Sequence, residues 1–133
     1  MTAPIRMTSI TITLPVPSRK LSPNARIHWA AKAKITKKAR TAAYYACIEV
    51  LGKRASPSWG KSRYLVHAYF KTAAARDADN FMASLKGYID GIADAGIVTN
   101  DRDLWPERPV FAKDAANPRI EITITPEEKE QTV

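Results

Sequence analysis

Two aspartates, Asp77 and Asp79 in Arg76-Asp77-Ala78-Asp79-Asn80, stand where a strand-like run gives way to a helix-like one. A second acidic cluster, Asn100-Asp101-Arg102-Asp103, follows that helix-like run. Carboxylates arriving from separate segments can hold a hard divalent cation. Mg²⁺ takes oxygen ligands and is usually bound by one or two carboxylates together with substrate phosphate. The protein around these acids carries a formal charge of +8, and a basic body attracts the polyanion that would bring the phosphate. Acid pocket and basic body together point to metal-dependent phosphodiester chemistry.

Lys86 sharpens that reading. It lies seven residues after Asp79, about two helical turns, so the two are expected on one face of the second helix. Helical side chains lean toward the N-terminus, which lets Lys86 reach back toward the acids. Asp90, four residues further on, could hold it by an i,i+4 pair. A metal lowers the pKa of bound water, and a lysine can neutralise charge developing on a phosphate. Arg76 is placed to hold a DNA phosphate. The structural alternative for Asp79 is the N-cap of the second helix, a role Asn80 could share.

Charge is segregated along the chain. Fifteen Lys and Arg precede Asp77 against one acid, Glu49, and six follow against twelve acids, so the two parts carry +14 and −6. Such a bias suits phosphate contacts, with Arg26, Lys32, Lys37, Lys38 and Arg40 as candidates beside Arg76. A merely solvated surface is the alternative. A lipid surface fits less well, because no helix joins the basic face to bulky apolar insertion.

The remaining composition narrows the class. At 133 residues with 45% hydrophobic content, the chain suits one domain with a real core, spanning 1–133 with loose ends at 1–8 and 126–133. One cysteine, Cys47, excludes an internal disulfide and a Cys-based zinc site. No apolar run reaches the roughly 20 residues of a membrane span, and no signal-peptide core opens the chain. The expected location is cytoplasmic, with no membrane partner.

Periodicity supplies the elements. Ser9 to Leu14 and Tyr64 to Phe70 read as strands, as do Val110-Phe111-Ala112 and Ile120 to Ile124. A long helix is expected from about His28 to Leu51, with Ile35, Ala39, Ala42, Ala43, Ala46 and Val50 on one narrow face. Its small residues suggest close packing on a sheet or another helix. A second helix is expected from Phe81 to Ala95, closed by Gly96, with Phe81, Leu85, Tyr88, Ile89 and Ile92 inward. His67 reads as a core or edge residue of its strand. Ser84 and Cys47 have no base beside them in sequence, which gives nucleophilic catalysis little support. Trp105 follows the second acid cluster and could stack on an unpaired base.

The segment from Arg76 to Asp101, R-D-A-D-N-F-M-A-S-L-K-G-Y-I-D-G-I-A-D-A-G-I-V-T-N-D, resembles the RusA family of Holliday-junction resolvases, common on phages and prophages. The shared features are D-x-D-N, a helix with lysine followed four residues later by aspartate, a small-residue turn and a closing acidic pair. The Ser22 to Arg26 loop, the basic first helix and the last strand agree in order. The resemblance implies a small mixed sheet of about four strands packed with two main helices, an α+β fold. It implies Asp77, Asp79 and Asp101 as metal-binding acids, Lys86 as the catalytic lysine, and Mg²⁺ as cofactor with Mn²⁺ as a substitute. It further implies a homodimer acting on four-way or other branched DNA in recombination and repair, because symmetrical nicking needs two sites about a two-fold axis. Asn100 stands where the closing pair often has a second aspartate, and the Asp79-to-Lys86 spacing is longer than in some members. The alternatives are a DNA-binding protein without catalysis and a nuclease acting on flaps, forks or RNA.

Overall fold

Alternation builds the sheet in the computed structural model, which describes residues 8–127. Strand β1 (Ile10–Leu14) buries Ile10, Ile12 and Leu14 and leaves its threonines outside. Strand β2 (Ser62–Phe70) buries every second residue from Ser62 to Phe70. Two further short strands, β3 (Leu104–Pro106) and β4 (Val110–Lys113), run parallel to β2 along one of its edges. On its other edge β2 pairs antiparallel with β5 (Arg119–Pro126), which pairs antiparallel with β1. Ile120, Ile122 and Ile124 of β5 are fully buried at the sheet's centre. Each such side chain contributes about 1.5–3 kcal/mol by leaving water.

The fold is therefore α+β, with a mixed sheet of five strands rather than about four. The added strand, β3, is three residues long and has no alternation to betray it. Pro126, expected to lie in a loose end, closes β5 opposite Ser62, and the Glu127 N–H donates to the Lys61 carbonyl at 2.9 Å. Residues 1–7 and 128–133, expected to be loose, lie outside the described residues.

Helix α1 (Trp29–Leu51) covers the sheet together with the helical segment that follows β2. His28 caps α1, its Nδ1 accepting from the Ala30 N–H at 3.2 Å. The buried stripe of α1 is Ala43, Cys47 and Leu51, with Ala39, Ala42 and Ala46 partly covered; Val50, expected inward, is exposed. The Val50 position lies one residue before Leu51, a step of roughly 100° around the helix.

The expected single helix from Phe81 to Ala95 is two: α2 (Ala78–Ala83) and α3 (Lys86–Asp94). Ser84 causes the break. Its hydroxyl donates to the Phe81 carbonyl at 2.5 Å and competes with the helical ladder there. The Leu85 N–H then bonds back only three residues, to Met82. Leu85 itself is fully buried and pins the corner. Gly96 follows the last turn of α3 at φ +79°, the left-handed conformation expected of it.

Helix α3 meets α1 through Gly87 and Gly91. A Cβ on Gly91 would stand 2.2 Å from the Arg40 carbonyl oxygen, and one on Gly87 would stand 2.9 Å from that of Thr36. The small face of α1 thus serves a helix–helix contact. Arg40 and Asp94 tie the same pair of helices. The guanidinium donates to both carboxylate oxygens, at 2.7 Å on the second bond, and the pair holds the Asp94 carboxyl below its ordinary range.

Candidate functional site

Strand β2 ends at Phe70, and the loop after it carries Arg76 and Asp77 to the start of α2. Asp77, not Asp79, is the N-cap: its Oδ1 accepts from the Asn80 N–H at 3.1 Å. The cap sits two residues earlier than expected because Asp77 is still extended, at φ −79° and ψ 113°, and Ala78 is the first helical residue. Asp79 occupies the first turn, exposed, where its charge suits the helix dipole. Asn80 gives its backbone N–H to the cap rather than capping.

Helix α2 separates two clefts. Asp77, Asn80 and Phe81 line one, of about 650 Å³, together with Arg76 and Arg19. Met82 and Ala83 line the other, of about 460 Å³, where Lys86, Asp90, Asp101 and Arg102 meet over Tyr64. Asp79 lies one turn before Met82 and Ala83, on the flank of α2 that borders this second cleft.

In the second cleft the expected Lys86–Asp90 pair forms, Nζ to Oδ2 at 3.5 Å. The Lys86 side chain keeps 76% of its surface exposed while Asp90 keeps 18%. Asp101 opens a 3-10 turn, Asp101–Asp103, capped by Asn100, whose Oδ1 accepts from the Arg102 N–H at 3.2 Å. That bond engages the Asn100 amide oxygen in capping the turn whose Asp101 and Arg102 line the cleft. Beneath it Tyr64 is buried, which raises its phenol pKa and keeps it protonated at neutral pH.

The geometry brings Lys86, Asp90 and Asp101 together and places Asp77 across α2 from them. No three His, Cys, Asp or Glu among the described residues stand together as a metal-holding group. Mg²⁺ needs only one or two protein carboxylates when phosphate and water complete its shell, so the oxygen donors of the second cleft fit that ion.

Of the expected phosphate contacts, Arg26, Lys37 and Lys38 are exposed and Lys32 is half-buried. Arg40 is occupied by Asp94 and serves the fold. Arg26 and Arg19 share a small hollow with Lys20 and His28 at the start of α1, and Arg19 also lines the large cleft. The basic loop therefore joins the two. Arg19 and Lys20 were not singled out from sequence, and their adjacency to Pro17 and Ser18 in a charged loop was the signal. Trp105 is 60% exposed on β3. Burial pushes the Cys47 thiol up to about 12, so it is protonated and inert. His67 is a half-buried β2 residue stacked near Tyr69.

No family model matches the chain. An uncharacterised protein of Xylella fastidiosa (strain Temecula1 / ATCC 700964) is similar to it. The two are 42% identical over 90 residues, 63% of this chain and 56% of that protein. The chain thus spans little more than half the length of this relative.

Among the described residues, no helix is long and apolar enough to cross a membrane.

Proposed function

We propose that the protein is a metal-dependent endodeoxyribonuclease of the RusA kind, nicking four-way and related branched DNA as a cytoplasmic homodimer. The observation that carries this reading is the second cleft, where Lys86, Asp90, Asp101 and Arg102 converge beside a helix whose N-terminal half is rich in exposed lysine. The Arg76-to-Asp101 motif, which contains Lys86, Asp90 and Asp101, supports it as well.

In this reading Lys86 binds a non-bridging oxygen of the scissile phosphate and offsets its developing charge. Asp90 holds the ammonium in place without enclosing it, because most of the lysine stays open. Arg102 positions the flanking phosphate. Asp101 and Asp79 are the carboxylates that would hold Mg²⁺, or Mn²⁺ in its place, with the substrate phosphate, while Asp77, across α2, caps the helix that carries Asp79. When bound, the ion supplies a water of lowered pKa and charge stabilisation on the leaving oxygen.

The test is cleavage of a synthetic four-way junction, with nick positions mapped, in Mg²⁺ and in EDTA. Paired symmetrical nicks in Mg²⁺ alone are expected. Flap and fork substrates assayed alongside distinguish a broader specificity. The separation of Asp77 from Asp101 favours one second reading, a DNA-binding protein without catalysis. Binding with no cleavage in Mg²⁺ or in Mn²⁺ would establish it.

A further inference from the structure

The cleft on the far side of α2 has a different chemistry from the acidic one. Val16, Pro17, Phe81 and Pro118 give it apolar walls, while Arg19 and Arg76 bring cations to it. Its volume of about 650 Å³ lies within the range of small-molecule sites. The Arg76 guanidinium carbon stands over the Phe70 ring, 3.6 Å from its centre, and Phe70 is braced edge-to-face by Phe81 and Phe111. Arg76 forms none of the ion pairs among the described residues, and its Nε is buried with no hydrogen-bond partner. Its Nη2 donates one long bond, to the Thr72 carbonyl at 3.5 Å. A charged donor left in this state is costly, so the group is held ready for an acceptor the chain does not supply.

We propose that this cleft is a subsite for one unpaired nucleotide of branched DNA. The base enters between the apolar walls and stacks on the Arg76 plane, as bases do on guanidinium groups backed by aromatic rings. Its phosphate is held by Arg19 and Arg76. The next phosphate passes to the hollow of Lys20 and Arg26, which Arg19 joins to the cleft. Asn80 offers its side-chain amide to the base edge. The inference rests on the branched-DNA reading, because a base at the crossover of such DNA leaves its pair and stack at less cost than one inside a duplex arm.

Single 2-aminopurines placed at successive positions of a synthetic four-way junction, titrated with the full chain in EDTA, test it without cleavage. One position at the crossover is expected to change fluorescence on binding, and an abasic residue there should weaken binding at least about fivefold, the low end of one base stack. Ala75→Trp, at an exposed cleft residue, should fill the site and abolish both effects, and Arg19→Gln should weaken them. Deoxynucleoside monophosphate should compete for the site better than inorganic phosphate. A junction bound with no base-dependent position, an Ala75→Trp protein that behaves as wild type, or equal competition by inorganic phosphate would overturn the proposal. Nicking in Mg²⁺ without any base dependence would sink the subsite and leave the nuclease standing. Base-dependent binding without nicking would do the reverse.

Discussion

Asp79 and Lys86 carry different burdens at the residue scale. Asp79 caps nothing, since Asp77 holds that position, so Asp79→Asn removes charge at the cleft with little structural consequence. Cleavage is expected to fall below about a tenth of wild type, a loss of more than roughly 1.4 kcal/mol of barrier stabilisation, while junction affinity holds or rises as backbone repulsion is relieved. Retained turnover would leave Asp79 as a helix-dipole residue. Lys86 is exposed and makes one weak i,i+4 pair, worth a few tenths of a kcal/mol. Lys86→Ala should leave the melting temperature near wild type and cut single-turnover cleavage on the order of a hundredfold, the scale of losing one preorganised donor. Near-normal cleavage would count against the site. Sequence spacing paired Lys86 with Asp90 correctly, but it put Lys86 and Asp79 on one helix that is in fact broken at Ser84, and Asp77 stands across α2 from Lys86. The capping residue was misread by two positions, because either aspartate can cap and only the backbone angles at Asp77 decide.

At the scale of elements, the α1–α3 contact governs whether the second cleft keeps its shape, since α3 begins with Lys86 and holds Asp90. Gly91→Ala would drive a methyl onto the Arg40 carbonyl, 2.2 Å away, and backbone cannot yield as a flexible side chain can. A destabilisation of at least about 1–3 kcal/mol is expected, the range of overpacked cores, measured by denaturant unfolding; an unchanged midpoint would mean the helices slide freely. The Arg40–Asp94 clasp adds a pH signature. Hydrogen bonds from Arg40 lower the Asp94 pKa in the folded state, so the pair's contribution is complete above the unfolded carboxylate's value and is lost as pH falls through the lower folded one. The melting-temperature gap between wild type and Asp94→Asn should be steady from about pH 7 to 5 and close below about pH 4. A gap persisting at low pH would show that shape, not charge, holds the helices. Gly87 and Gly91 were legible as small residues but not as a contact, because their partners lie some fifty residues away in sequence.

For the whole molecule, charge separation is the property that matters. Lys37 and Lys38 are exposed on α1, away from the α3 contact, and should contribute to DNA binding through released counterions. The double change Lys37→Glu, Lys38→Glu is expected to weaken junction binding and reduce the slope of log affinity against log salt by about two or more; an unchanged slope would remove α1 from the footprint. The sequence by itself determined the main strands, the long basic helix and the two acidic clusters, because period and charge are local properties that survive in any compact fold. Tertiary structure alone decided the rest. The short β3 strand exists only because β2 offers it an edge, and Arg40 leaves the basic face only because Asp94 arrives on a neighbouring helix. Asp77 and Asp101 fall on opposite sides of α2 for the same reason: a carboxylate's neighbours depend on where the chain turns, and Ser84 and Leu85 turn it by a hydrogen bond and a burial that no spacing rule contains.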